Sequence, residues 1–257
     1  MTRGAGRRRL LILGGTSEGR ALADAVETAL GETYEAVTAL AGATRAPAPT
    51  AGTVRTGGFG GPEGLAAFLR DRAIDCLVDA THPFAARISA HARMACDATG
   101  TARLLLLRPA WPRHRDDDWI EVADMAAARD AVAARGGRVF LTTGVKDLAA
   151  FSDLPDCRFL VRLVEAPKKP PPLDNHDLVV ARGPFAEADE IALMRAQGVD
   201  LLVSKASGGD STHAKIAAAR RLGMPVVMVR RPPAEAGPRV ATVDAALEWL
   251  TAQAASP

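Results

Sequence analysis

The stretch Leu10-Leu11-Ile12-Leu13-Gly14-Gly15-Thr16-Ser17-Glu18-Gly19-Arg20 decides how the rest of the chain is read. An apolar run passes directly into a glycine-rich turn, then into a helical pattern carried by Ala21, Leu22, Ala25 and Val26. A strand, a tight turn and a helix start make an anion site. The glycines let backbone N–H groups approach a phosphate, and the helix N-terminus adds partial positive charge. Gly14, Gly15, Thr16, Ser17, Gly19 and Arg20 are the expected contacts of that anion. The glycines depart from the full G-x-G-x-x-G spacing, so an ordinary strand-to-helix turn with a serine cap also fits these residues.

Working outward, the same rhythm repeats. Strands are expected at 9–13, 33–40, 53–56, 74–79 and 102–107, with helices at 18–30, 62–72 and 84–99 between or after them. Strands apolar along both faces and alternating with helices indicate a parallel sheet covered on both sides. The segment 108–119 breaks the rhythm with two prolines, two tryptophans and Asp116-Asp117-Asp118, the last read as a solvated loop. A second alternation follows, closing on a helix at 245–252. The fold class is therefore α/β, with two Rossmann-like parallel-sheet domains in series, 1–112 and 113–257, and the active site expected in the cleft between them.

At 257 residues the chain has room for two such domains. A net charge of +2 argues against a nucleic-acid partner. No segment approaches the roughly 20 apolar residues of a membrane span. The basic N-terminal residues precede too short an apolar run for a signal peptide. Cys76, Cys96 and Cys157 form no C-x-x-C pair, and the five histidines show no i,i+4 pair, so no disulfide framework and no metal are expected. A cytoplasmic protein, monomeric or weakly dimeric, follows by default. Basic residues recur near expected loops, among them Arg45, Arg55, Arg87, Arg182 and Lys205. They suit an anionic small molecule, although solvated surface arginines have the same distribution.

Five further stretches lie where ligands bind in open parallel sheets, beyond the carboxyl ends of strands. The second strand ends without Asp or Glu, and Thr44 and Arg45 follow it. An Arg there suits a 2′-phosphate, which favours NADPH over NADH as the cofactor. The stretch Asp79-Ala80-Thr81-His82-Pro83-Phe84-Ala85 places Thr81 and His82 after a buried strand. His82 would bond or protonate a ligand, or else cap the helix. Leu141-Thr142-Thr143-Gly144 and Ser204-Lys205-Ala206-Ser207-Gly208-Gly209 are two more strand–turn–helix junctions, the second followed by a helix carrying Lys215. They read as anion sites or as capped flexible loops. Arg182-Gly183-Pro184-Phe185 sets an Arg at another strand end.

These motifs, taken in order over nearly the whole chain, resemble the precorrin-6A reductase family of cobalamin biosynthesis. The resemblance implies an NADPH-dependent oxidoreductase acting on a CH–CH group, reducing a ring double bond of precorrin-6A to give precorrin-6B. It implies a polycarboxylate tetrapyrrole substrate, held by cations such as Arg87, Arg182 and Lys215. The proton would come from water or from a catalytic side chain, His82 or Lys205. Thr81, Thr143, Gly144, Ser207, Gly208 and Gly209 would join the cofactor contacts. Where the family runs Ala-Gly-Arg-Thr, this chain has Ala41-Gly42-Ala43-Thr44-Arg45, which moves the Arg by two. A non-catalytic dinucleotide-binding sensor module is the alternative from another class. An S-adenosylmethionine methyltransferase is disfavoured by the missing acid after the second strand.

Overall fold

The computed structural model describes residues 6–42 and 49–255. Thr44 and Arg45 lie outside the described residues. The chain runs β1 (Arg8–Leu13), α1 (Ser17–Leu30), β2 (Tyr34–Leu40), β3 (Thr53–Thr56), α2 (Pro62–Asp71), β4 (Cys76–Asp79), α3 (Ala86–Thr99) and β5 (Ala102–Leu106). It continues through β6 (Trp119–Val122), α4 (Met125–Arg135), β7 (Gly137–Leu141), β8 (Cys157–Leu163), β9 (His176–Val180), α5 (Glu187–Ala196), β10 (Leu201–Lys205), α6 (Ala214–Arg221) and β11 (Val226–Val229). It closes with β12 (Arg239–Val240) and α7 (Val243–Ala255).

Two six-stranded sheets result, ordered β12-β5-β4-β1-β2-β3 and β6-β11-β10-β7-β8-β9. Every strand pairing is parallel, as the apolar strands required. The first sheet has the 3-2-1-4-5-6 order of doubly wound dinucleotide folds. Its order reverses direction between β1 and β4, so the turns after those two strands flank the switch point. In the second sheet β7 and β10 hold the corresponding positions.

The chain divides into two units. One comprises the described residues up to Pro109 and from Pro232 onward, and the other comprises Ala110–Arg231. The sequence reading gave all of 113–257 to the second domain. The structure instead carries the C-terminal segment back to the first sheet. There β12 pairs with β5, and α7 buries Ala246 and Leu250 against Leu10, Ile12 and Val26. The physical reason is that β5 needs an outer neighbour and the α1 face of the sheet needs a cover. A two-residue strand has no periodicity to reveal it.

Core burial follows the strand period. On β1, Leu10 and Ile12 pack toward α1 and α7, while Leu11 and Leu13 face Leu65, Leu69 and Ala92 of α2 and α3. Pro62 begins α2, and Gly100, at φ +71°, terminates α3 in the left-handed conformation. The segment 145–151 is a 3-10 helix. The acidic run also differs from its solvated reading. Asp117 is buried, accepting the His114 N–H at 2.6 Å and the Arg220 Nε–H at 2.8 Å, whereas Asp116 and Asp118 are exposed. No helix among the described residues is long and apolar enough to cross a membrane.

Candidate functional site

In the first unit the glycine turn leaves β1 with the Gly14 N–H bonded to the Ala39 carbonyl at 3.0 Å. Gly15 takes φ +111°, which L side chains rarely adopt, and a Cβ there would face open space. Gly19 is required for another reason. Its Cβ would lie 3.2 Å from Gly14 Cα and 3.3 Å from Ala80 Cβ, so a side chain there would push the helix and the two turns apart by a few tenths of an ångström. This is the role of the third glycine in a dinucleotide fingerprint. The N–H groups of Gly15, Thr16 and Ser17 make no hydrogen bond among the described residues. Open donors at a helix N-terminus fit a pyrophosphate.

The hydroxyls divide differently from the sequence reading. Thr16, not Ser17, is the N-cap, accepting the Gly19 N–H at 3.0 Å. It also donates to the Ala80 carbonyl at 2.7 Å, tying the turn after β1 to the turn after β4. Both functions of Thr16 are therefore internal. Ser17 is exposed and donates to Glu18 at 3.2 Å. Arg20 is exposed on α1. Glu18 meets Arg108 at 2.7 Å. Burial pushes its carboxyl upward, but its own backbone N–H and the Arg108 guanidinium outweigh that and hold it below the usual 4.5. Thr16, Glu18, Thr81, Pro83 and Arg108 line a small cleft at this edge.

Asp79 ends β4, completely buried. Its Oδ1 accepts both the N–H (3.1 Å) and the hydroxyl (2.7 Å) of Thr81, and its Oδ2 has no partner among the described residues. Asp79 thus shapes the loop that carries Thr81 and His82. The sequence reading quoted Asp79 without a role. The available signal was a carboxylate closing a strand buried on both faces, which must find donors. His82 Nδ1 accepts the Phe84 N–H at 3.2 Å, which assigns the neutral ring's proton to Nε2. Arg87, the second residue of α3, is exposed.

In the second unit Thr142 donates to the Val203 carbonyl at 2.9 Å, whereas the buried Thr143 hydroxyl has no partner among the described residues. Gly144 follows at φ +94° with open space beside it. Lys205 Nζ lies 2.5 Å from Asp147 Oδ2, so an ion pair joins the turns after β7 and β10. The Ala206–Gly209 loop is held by its carbonyls. Arg231 donates to those of Ala206 and Ser207 at 2.6 and 2.8 Å, and Trp111 to that of Gly209 at 2.7 Å. Gly208 and Gly209 are both left-handed, and their N–H groups make no bond among the described residues. Successive N–H groups in such a turn form an anion concavity.

Arg182 is exposed, 3.5 Å from Glu165. Lys215, expected to meet substrate, is buried. Its ammonium donates to the Thr212 carbonyl at 3.0 Å and lies 5.2 Å from the Trp111 ring. It therefore shapes the Ser-Gly-Gly junction from within, because its early position on α6 turns it into the core. Burial pushes the Cys96 thiol up to about 12 and raises Cys76 and Cys157. All three cysteines are free and buried, as inert core thiols are.

A family model described as "Precorrin-6x reductase CbiJ/CobK" matches residues 9–251. The chain is 49% identical over 237 residues to a protein named precorrin-6A reductase from Mycobacterium tuberculosis (92% of this chain, 93% of that one). It is 46% identical over 245 residues to one of the same name from Rhodococcus erythropolis (94% and 97%). A solved structure titled "CobK precorrin-6A reductase" superposes with a TM-score of 0.90 at 40% identity, covering 97% of this chain and 98% of that one. A protein named cobalt-precorrin-6A reductase, from Priestia megaterium, is more distant, at 29% over 263 residues (96% and 100%).

Proposed function

The chain belongs to the precorrin-6x reductase family, and from that premise we propose that it reduces a ring double bond of precorrin-6A to give precorrin-6B, with NADPH as the reductant. The observation that carries this reading is the run of open N–H groups at Gly15, Thr16 and Ser17, set at the switch point of a 3-2-1-4-5-6 sheet. Those residues, with Gly14 and Gly19 shaping the turn, would hold the pyrophosphate. When bound, the reduced dinucleotide supplies the hydride.

The remaining roles fall to the chain's own side chains. Asp79 orients Thr81 and, through the loop, His82. The Nε2–H of His82 and the ammonium of Lys205 are the candidate proton donors, with water as the third. Arg87 and Arg182, each exposed at the edge where strands end, would pair with substrate carboxylates. The Thr143–Gly144 and Ser207–Gly209 turns offer further donors to anionic groups. Greater identity to relatives named for precorrin-6A than to one named for cobalt-precorrin-6A supports the metal-free substrate.

Anaerobic titration with NADPH and purified precorrin-6A tests this reading. Loss of nicotinamide absorbance is expected only when the precorrin is present. No loss overturns the reductase reading, and NADPH binding without turnover would favour the sensor alternative. His82→Asn and Lys205→Met separate the proton donors, since unchanged single-turnover reduction removes that residue from the catalytic set.

A further inference from the structure

Folding sets one cation at the end of β2 that sequence order did not single out. β2 ends at Leu40 with no acid, and the Leu40 carbonyl accepts the Gly57 N–H at 2.9 Å. The turn after β3 therefore lies against the end of β2, with Arg55 opposite Ala39 in the register. The Arg55 guanidinium reaches forward over that turn. It donates to the Gly57 carbonyl at 2.6 Å and to the Gly58 carbonyl at 2.8 Å. Its centre sits 4.1 Å from the Phe59 ring centroid and 5.4 Å from that of Phe68.

A guanidinium carries five N–H donors. Two are used on the turn, and the rest have no partner among the described residues; nor has Arg55 a carboxylate partner there. The loop around it is Gly57-Gly58-Phe59-Gly60-Gly61. A Cβ at Gly57, Gly58 or Gly60 would meet nothing within 4 Å, so the backbone borders open space. An arginine fixed by two carbonyls and an aromatic face, with donors left over and no counter-ion among the described residues, is pre-organised for an anion. The planar fork suits a phosphate monoester. The end of β2 is where the adenosine ribose lies in doubly wound dinucleotide folds.

Resting on the NADPH reading above, we propose that Arg55 recognises the 2′-phosphate of the dinucleotide. It takes the part that sequence order assigned to Arg45. The Gly57–Gly61 loop serves to hold the guanidinium in place and to leave room for the phosphate.

Equilibrium binding of 2′,5′-ADP and 5′-AMP to the whole protein, measured by calorimetry, tests this without turnover. The unaltered chain is expected to prefer 2′,5′-ADP. Arg55→Gln should lower that preference roughly 10- to 100-fold, the effect of losing charge-assisted hydrogen bonds, with 5′-AMP affinity kept. Arg55→Lys, which keeps the charge and loses the fork, should fall between. A full preference in Arg55→Gln overturns the proposal, and so does a loss seen in Arg45→Gln in its place. If both Arg55 variants lose 5′-AMP in parallel with 2′,5′-ADP, Arg55 only shapes its loop and the proposal fails. No preference in the unaltered chain overturns the NADPH reading as well. A preference that survives Arg55→Gln overturns this inference alone.

Discussion

Five strands of each sheet share one order, the sixth place being taken by the last strand, β12, in one and by the earliest, β6, in the other, but the switch-point turns are joined by different chemistry. In the first unit a neutral hydrogen bond, Thr16 to the Ala80 carbonyl, links the turns after β1 and β4. In the second, the Lys205–Asp147 ion pair links the turns after β7 and β10. The cores differ in the same sense. The first unit buries the Asp79 carboxyl against the N–H and hydroxyl of Thr81. The second buries Arg162 beside Glu190, with the guanidinium 5.0 Å from the Phe140 centroid and 3.9 Å from that of Phe185. A shared order of five strands thus supports switch-point turns linked by a neutral hydrogen bond in one unit and by an ion pair in the other. The difference lies in the loops and in a few interior residues, while the strands repeat.

The contrast can be broken most severely in the second unit. Glu190→Ala leaves the buried Arg162 charge without its partner, and a loss of about 3–5 kcal/mol is expected. Hydrogen exchange should show the loss in β8 and α5 and leave α1 and β1 protected. Equal loss in both units would mean that they do not unfold separately. The next effect belongs to the first unit. Leu250→Ala should cost about 2–5 kcal/mol through the cavity it leaves, although residue 250 follows the whole second unit in sequence. Exchange should rise in β1, β2 and α1, and a rise confined to 110–231 would refute the return of the C-terminal segment to the first sheet.

The smallest effect concerns Glu18. Because its folded value is lowered, its stabilisation is complete above the ordinary 4.5 and disappears as pH falls through the folded value. The gap in thermal midpoint between the unaltered chain and Glu18→Gln should be constant near neutrality and close below about 4.5. A gap that widens in acid would contradict the Arg108 pairing.

The strands and turns were legible because burial on both faces leaves unbroken apolar runs, as in Leu10–Leu13 and Leu201–Val203, and because Gly14-Gly15 and Gly208-Gly209 punctuate them. Gly19 could be marked as a candidate, yet its reason, 3.2 Å from Gly14 Cα, is a distance between a helix and a turn. Lys215 was misplaced because charge alone does not say which side of a helix faces the core. Asp117 was misread because its partner, Arg220, is 103 residues away. Arg55 was one of many basic residues near expected loops, and only the pairing of β3 with β2 set it apart.

The sequence alone determined the α/β class, the two halves, the family resemblance and the turns at the strand ends. These depend on local period and on glycine chemistry, which neighbouring residues encode. Only the tertiary structure decided that the last strand and helix return to the first sheet, that Thr16 ties the turn after β1 to the Ala80 carbonyl, and that Arg55 stands at the end of β2. Those features are pairings between residues far apart in the chain. They follow from which edges and faces remain uncovered once the strands are assembled.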